Sequence, residues 1–396
     1  MRKPRILVTG ASGKTGRATA IALMQMGFPV RAFVHREDHR SERLREIGAE
    51  VVVGKLQDIR SISEAMRGVQ RAYFVCPWTV NQLDLALNFA IAANDNALEH
   101  IVAISQWLSG PAHPSVATRR TYLIDRILSW MPNTSWTIIN VGFFADNYMA
   151  LLEPISQLGL MPMPLGDGQN APVSNEDIGR TAAGALAYPE LHAGRIYRPT
   201  GPRLLSPQEI ADTFGRVLDR KVKYQNISPM MFTKAVKAMG IPVGLISQLR
   251  HYFEDYRQGA FATAAPNDAV RHLTGREAES FETIVDRYVN SPQVTGFMPS
   301  ATQTSNTHNT LINRLRAIRN FASLLITKAP DLEQYEYQYD YPEIDSTQYA
   351  LASTAWKSFH DVPNAFGSAA DSRVDQSDVA PLISNDQDHQ PISAAG

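Results

Sequence analysis

An α/β fold built on a doubly wound parallel sheet is what this chain predicts, from three observations. Short apolar, β-branched or aromatic runs alternate with helical periodicity over residues 5–142. Those runs are apolar at nearly every position, the pattern of strands covered on both faces. The first of them, Ile6-Leu7-Val8-Thr9, runs into Gly10-Ala11-Ser12-Gly13-Lys14-Thr15-Gly16-Arg17 and then a helix. Strand, glycine turn and helix in that order form the opening unit of a Rossmann-type domain.

Taken along the chain, strands are predicted at Arg5–Thr9, Val30–His35, Glu50–Gly54, Ala72–Cys76, Ile101–Ser105 and Thr137–Val141. Between them Ala18–Met26, Leu83–Asn94 and Tyr122–Met131 carry helical spacing, and Gly27 and Gly48 fall where helices stop. Ser61-Ile62-Ser63-Glu64 reads as a capping box that opens a further helix. From Leu151 the rhythm breaks at Pro154, Pro162, Pro164, Gly166 and Gly168, which predicts loop and short elements. Ser174-Asn175-Glu176-Asp177 starts a helix through Leu186, Arg195–Pro199 is a strand, and Ser206-Pro207-Gln208-Glu209 has Ser at N-cap, Pro at N1 and Glu at N3. Helical character then runs from Pro229 to about Val289.

These signals divide the chain into a nucleotide-binding domain (1–150), a smaller C-terminal substrate lobe (151–290) and a partly disordered tail (291–396). In the tail, Ser300–Lys328 has no acidic residue, and Leu311, Leu315, Ile318, Ala322 and Leu325 form a helical stripe beside Arg314, Arg316 and Arg319. That helix, Asn313–Lys328, reads either as packing back on the lobe with its arginines solvated or as docking on a membrane surface or a protein partner. Tyr335, Tyr337, Tyr339 and Tyr341 alternate with acids as an edge strand or an adhesive segment, and the polar stretch from Ser368 reads as disordered.

The bulk numbers exclude several classes. A chain of 396 residues buries a sizeable core. Its net charge of −1 draws it to no nucleic acid. One cysteine, Cys76, excludes a disulfide framework or a Cys-based metal cluster. No apolar run reaches the ~18 residues a membrane span needs, and the N-terminus enters the first strand directly. The expectation is a cytoplasmic protein with no metal site, the ten histidines being scattered without ligand spacing.

The glycine turn carries the chemistry. Gly10 allows the sharp turn, Gly13 lets backbone approach a pyrophosphate, and Gly16 lets the helix pack close to the strand. The N–H groups of the helix start, from Ser12 to Thr15, and the positive end of the helix dipole face that anion. The second strand ends Val34-His35-Arg36, a base where NAD-preferring folds carry an acid. Arg36, with Arg17, Lys14 and His35 nearby, suits a 2′-phosphate, so NADP(H) is expected ahead of NAD(H). The competing reading is a solvated basic loop, since Glu37 and Asp38 follow. Asp58 is placed for the adenine amino group or for capping a helix. Cys76 and Pro77 end the fourth strand beside the expected nicotinamide ribose, Cys76 as a packed small residue rather than a nucleophile.

Val8–Arg17, Val34-His35-Arg36, Leu56-Gln57-Asp58 and Trp136–Asn147 together resemble the NmrA-like group of atypical short-chain dehydrogenase/reductases, over roughly residues 3–290. Asn140 and Val141 stand where that group usually has Arg and Pro. The resemblance implies a Rossmann domain, NADP(H) and a small substrate lobe. It also implies two functional classes: quinone, azo-dye or triphenylmethane reductases, and redox-sensing regulators that bind dinucleotide without turning it over.

Short-chain dehydrogenases couple a Ser to a Tyr-x-x-x-Lys helix in which Lys lowers the Tyr pKa. Ser105 ends the fifth strand at the corresponding place, but Tyr122 is followed four residues on by Arg126 rather than Lys. Direct hydride transfer to a quinone or similar flat electrophile demands less, because the acceptor oxygens take protons from water and orientation supplies most of the rate. Trp78, Trp107, Phe143 and Phe144 would line a flat pocket for such an acceptor, with Gln106 and Asn147 as polar contacts at its mouth; each aromatic is equally readable as core. Two readings result: an NADPH-dependent reductase of a small-molecule electron acceptor, and a non-catalytic NADP(H) sensor acting on a protein partner through the tail.

Overall fold

The computed structural model describes residues 3–238, 240–290, 311–330 and 332. The alternating tyrosines and the stretch from Ser368 lie outside the described residues.

Apolar runs become strands because both of their faces are covered. β1 (Ile6–Thr9), β2 (Val30–Val34), β3 (Glu50–Val53), β4 (Arg71–Phe74), β5 (His100–Gln106) and β6 (Ser135–Val141) alternate with α1 (Lys14–Gln25), α2 (His39–Glu46), α3 (Ile59–Met66), α4 (Gln82–Asp95) and α5 (Val116–Ser129). After β6 come α6 (Ala145–Met149), α7 (Leu152–Leu158), β7 (Leu160–Met163), α8 (Asn175–Ala187), α9 (Pro189–His192) and β8 (Arg195–Tyr197). Then α10 (Pro207–Val217), β9 (Lys223–Asn226), α11 (Pro229–Ala238), α12 (Val243–Arg257), α13 (Ala269–Thr274), α14 (Phe281–Asn290) and α15 (Leu311–Ile326) complete the described chain.

Seven strands form one sheet in the order β3-β2-β1-β4-β5-β6-β8, every pair parallel. The connections reverse direction between β1 and β4, so a crevice opens beyond their carboxyl ends, where ligands of open α/β sheets bind. Two apolar layers flank the sheet. One packs β1, β2 and β6 against α1 and α8 through Leu23, Ile139, Ile178 and Leu186. The other packs β1, β4 and β5 against α3, α4 and α5 through Phe74, Phe89, Ile101 and Leu128. The α1–α8 contact is intimate: a Cβ on Gly179 would stand 2.6 Å from the Ala18 backbone, so only glycine fits there.

A third core fills the lobe over the sheet's carboxyl edge, where Trp107, Phe143, Tyr148, Phe214, Tyr256 and Phe261 meet. The segment 151–168 is not loop throughout: it contains α7 and β7, and β7 pairs with β9 in a small parallel sheet. Pro162 sits in β7, an edge strand where a missing N–H is tolerated. The predicted helix start at Ser61 is corrected. α3 begins at Ile59 with Asp58 as N-cap, accepting from the Arg60 N–H at 3.0 Å, while the Ser61 hydroxyl accepts from the Lys55 N–H at 3.2 Å. α5 likewise starts a turn and a half before Tyr122, capped by Ser115. The helix starts at Ser174 and Ser206 form as predicted, Ser174 as an N-cap accepting from the Asp177 N–H and Ser206 in a full capping box with Glu209. Among the described residues no helix is long and apolar enough to cross a membrane.

Candidate functional site

The glycine loop sits at the carboxyl end of β1, at the crevice. Gly10 has φ +58°, a left-handed conformation that favours glycine, and a Cβ there would also stand 2.8 Å from Val75 beyond β4. Gly16 packs against the backbone of Thr9 and Gly10, with no room for a side chain. α1 begins on Gly13 with no side-chain cap and no acid in its first turn. Its first N–H groups therefore face the crevice with no partner from a cap, a cradle suited to an anion. A dinucleotide pyrophosphate fits this loop: the backbone is bare at Gly13, and the Gly10 turn closes behind it.

Side chains around the loop are arranged unequally. Ser12 is half-buried and Gly13 exposed. The Thr15 hydroxyl turns inward and accepts from Tyr73 Oη at 2.8 Å, leaving its backbone N–H as the group that faces an anion. Lys14 reaches across to the lobe and forms an ion pair with Asp146 on α6. Asp146 is 1 % exposed and also accepts from the Tyr288 hydroxyl on α14. Burial pulls the Lys14 pKa down and pushes the Asp146 pKa up, while each charge opposes the shift of the other. The charge of Arg17, half-buried on the next turn of α1, bears on both.

At the end of β2, His35 and Arg36 are exposed, the Arg36 side chain 74 % so. Asp38 is the N-cap of α2 in a capping box with Ser41. Arg40 hydrogen-bonds its carboxyl and holds it down at about 2, with Arg36 at 3.8 Å. The loop thus presents Arg36 and Arg40 beside two carboxylates, Asp38 and Glu37, the latter paired with Arg45 at 2.7 Å, and Arg40 is a base the sequence reading missed. Asp58 is exposed and occupied as the α3 cap.

Beyond β4, Pro77 and Trp78 are exposed, Trp78 with its ring 5.9 Å from Tyr252. Cys76 is half-buried and donates to the Gln82 carbonyl at 3.4 Å. Burial pushes its thiol up to about 12, so thiolate is scarce at neutral pH. Alkylation of the native protein by iodoacetamide at pH 8 is expected to run about a hundredfold slower than in denaturant. Equal rates in both would show an activated thiol.

The predicted pocket lining divides. Phe144 and Asn147, just past the carboxyl end of β6, are half-buried, Phe144 against the sheet layer, and Trp78, just past the carboxyl end of β4, is exposed. Trp107 and Phe143 are corrected to core. Trp107 is 2 % exposed and its indole N–H donates to the Ala260 carbonyl at 3.0 Å. Phe143 is boxed by Tyr148, Phe253, Tyr256 and Phe261 at ring-centroid distances of 5.2 to 6.2 Å. Gln106 is corrected too: it is buried, donates to Thr121 at 2.8 Å and accepts from Thr118 at 2.9 Å and Gln248 at 3.2 Å. It holds β5, α5 and α12 together rather than facing a ligand.

The Ser/Tyr couple does not assemble as the dehydrogenase pattern requires. Ser105 is 2 % exposed and donates to Asp125 at 2.6 Å, a carboxylate that also accepts from Ser109 at 2.5 Å. Its hydroxyl is engaged by the buried Asp125 carboxyl on α5, which corrects the reading of Ser105 as a carbonyl or ribose donor. Tyr122 is half-buried on α5, and burial raises its pKa; Arg126 pulls it down and Asp125 adds to the rise. A tyrosinate relay needs the opposite shift.

Asp146 and Tyr288 are the residues sequence reasoning missed. A lone acid inside the apolar run Val141–Met149, at the end of a central strand, needs a partner when buried. Lys14 in the glycine loop was the available cation.

The comparisons agree with this geometry. A family model described as the NmrA-like family matches residues 2–284. The chain is 28% identical over 280 residues to an NAD(P)H azoreductase of Xenophilus azovorans, spanning 70% of this chain and 95% of that protein. Among solved structures, the Escherichia coli NADPH-dependent quinone oxidoreductase QOR2 complexed with NADPH superposes with TM-score 0.64 at 21% identity, covering 72% of this chain and 99% of that one. NmrA, a negative transcriptional regulator in complex with NADP, does so with TM-score 0.60 at 18% identity, covering 72% and 95%. At those identities the structures establish the shared fold. With the family model spanning well over half of its length, the chain belongs to the NmrA-like family.

Proposed function

We propose that this protein is an NADPH-dependent reductase that passes a hydride to a quinone or a similar flat electrophile. The observation that carries the reading is the glycine loop: an uncapped α1 start, closed behind by Gly10 and Gly16, at the point where the sheet order reverses. The likeness to an azoreductase supports a flat acceptor. Bound NADPH would supply the hydride. The chain's own share is to hold the pyrophosphate on the α1 N–H groups and the 2′-phosphate on Arg36 and Arg40. Trp78, Phe144 and Asn147 would orient the acceptor at the crevice, with water protonating its reduced oxygens. Tyr122 and Ser105 are not needed for this chemistry.

Arg36→Ala is expected to weaken NADPH binding about tenfold, the loss of one charge-assisted contact, with NADH binding unchanged. Fluorescence titration with both nucleotides checks this; equal losses for the two would remove the 2′-phosphate assignment. The activity test is NADPH oxidation across quinones, aldehydes and azo dyes. A rate with quinones or azo dyes that survives Tyr122→Phe supports the reductase. Tight nucleotide binding with no turnover on any acceptor instead leaves the second reading, an NADP(H) sensor acting on a protein partner. That reading draws on Ser105 being tied to Asp125 and on the raised Tyr122 pKa, which leave no proton relay.

A further inference from the structure

Of the α15 stripe, Leu315, Ile318 and Ala322 face outward. Helical spacing puts Leu315, Ile318 and Ala322 within an arc of about 60°, and the pattern alone would turn them into the core. In the structure Ile312, Leu315 and Ile318 are 70, 57 and 53 % exposed, and Ala322 is exposed. Among the described side chains, Asn313 and Ala317 on the far side are buried, and the helix packs on α7 and α11. Arg314 and Arg319, both exposed, flank the aliphatic arc at about 70° to either side.

We infer that α15 docks on an anionic lipid surface, aliphatic ridge down, with Arg314 and Arg319 at headgroup phosphates. Charge complementarity argues for this occupant. Residues 300–328 hold no acid, and neither does α11, which bears Lys234, Lys237 and an exposed Met230. The charge of Arg314 bears on Arg220, which lines an open groove with Arg216, Lys221 and Lys223 against Asp212 and Asp219. The shape argues for it as well. The exposed aliphatic side chains of Leu315 and Ile318 form a low ridge that suits shallow insertion between headgroups. A stable protein interface needs about 800 Å² per partner around a buried core. Guanidinium forks bind phosphate in bidentate fashion, and each base near an anionic leaflet adds to the attraction.

Sedimentation of the full chain with vesicles tests the inference: phosphatidylcholine alone, and the same lipid with about a third phosphatidylserine. Binding is expected only with the anionic lipid and is expected to weaken as salt rises. Leu315→Asp with Ile318→Asp, and separately Arg314→Glu with Arg319→Glu, are each expected to lower the partition about tenfold. Because all four side chains are exposed, circular dichroism and NADPH affinity should stay at the unsubstituted values. No binding by the full chain, or binding that ignores both double substitutions, overturns the inference. So does one further outcome: a full chain that binds only after the six acids at 331, 333, 336, 340, 343 and 345 are neutralised. In that case the chain's own acidic, tyrosine-bearing segment covers the ridge instead of lipid.

Discussion

Gly16→Val is expected to abolish measurable NADPH binding and to cost the fold about 3 kcal/mol, an overpacking penalty at the upper end of its usual range. A Cβ at this position would lie 2.8 Å from the carbonyl carbon of Gly10 and 3.1 Å from the Thr9 oxygen, and closer still to the Gly10 oxygen. All three atoms are backbone, so no rotamer relieves the clash. The helix must move off the strand, and with it the N–H groups that face the crevice. Fluorescence titration and urea unfolding measure the two losses. Because Gly16 is buried against the backbone behind the loop, retained affinity in a destabilised protein would show that α1 can shift without losing the anion, and the loop would then need another account.

Asp146→Ala is expected to cost about 3 kcal/mol for a different reason. The substitution leaves the Lys14 ammonium and the Tyr288 hydroxyl facing a buried site with their shared acceptor gone. Most of that cost is the stranded charge rather than the worth of the bond. Lys14→Met combined with Asp146→Ala should therefore cost less than the sum of those two single substitutions, because the double strands no buried ammonium and loses only the Tyr288 acceptor. Urea midpoints for the two singles and the double close the cycle. Strict additivity would mean that Lys14 and Asp146 do not interact in solution.

Much of the sheet was legible because its strands are buried on both faces, so composition marks Arg5–Thr9, Val30–His35 and Ile101–Ser105, each within a residue of the observed strand at either end. Strand β9, Lys-Tyr-Gln-Asn, was not legible: it is short, polar and largely exposed, and it exists because β7 offers it an edge. Helix α2 has almost no apolar face and depends on its Asp38–Ser41 cap, a signal that periodicity does not register. In the site, backbone requirements were readable, since glycine at a turn has few other uses. The aromatic lining was not. A side chain against a ligand and one against its neighbours obey the same apolar pattern, and Phe143 and Phe144, adjacent in sequence, divide between the lobe core and the sheet layer. Ser105 was misread because its position in the strand is right; only the presence of Asp125 on the facing helix decides where its proton goes.

The Lys14–Asp146–Tyr288 chain has one further consequence. It joins the anion-facing helix start to α6 and α14, two helices of the lobe, through a single ammonium. An anion seated in the glycine loop would compete with Asp146 for that ammonium, so its arrival would loosen or reorient the tether. Linkage is reciprocal: whatever shifts α14 must change the anion's affinity by the same factor, in the same units of free energy. Occupancy of the crevice and posture of the lobe would then be two readings of one equilibrium, with Lys14 as the gauge between them.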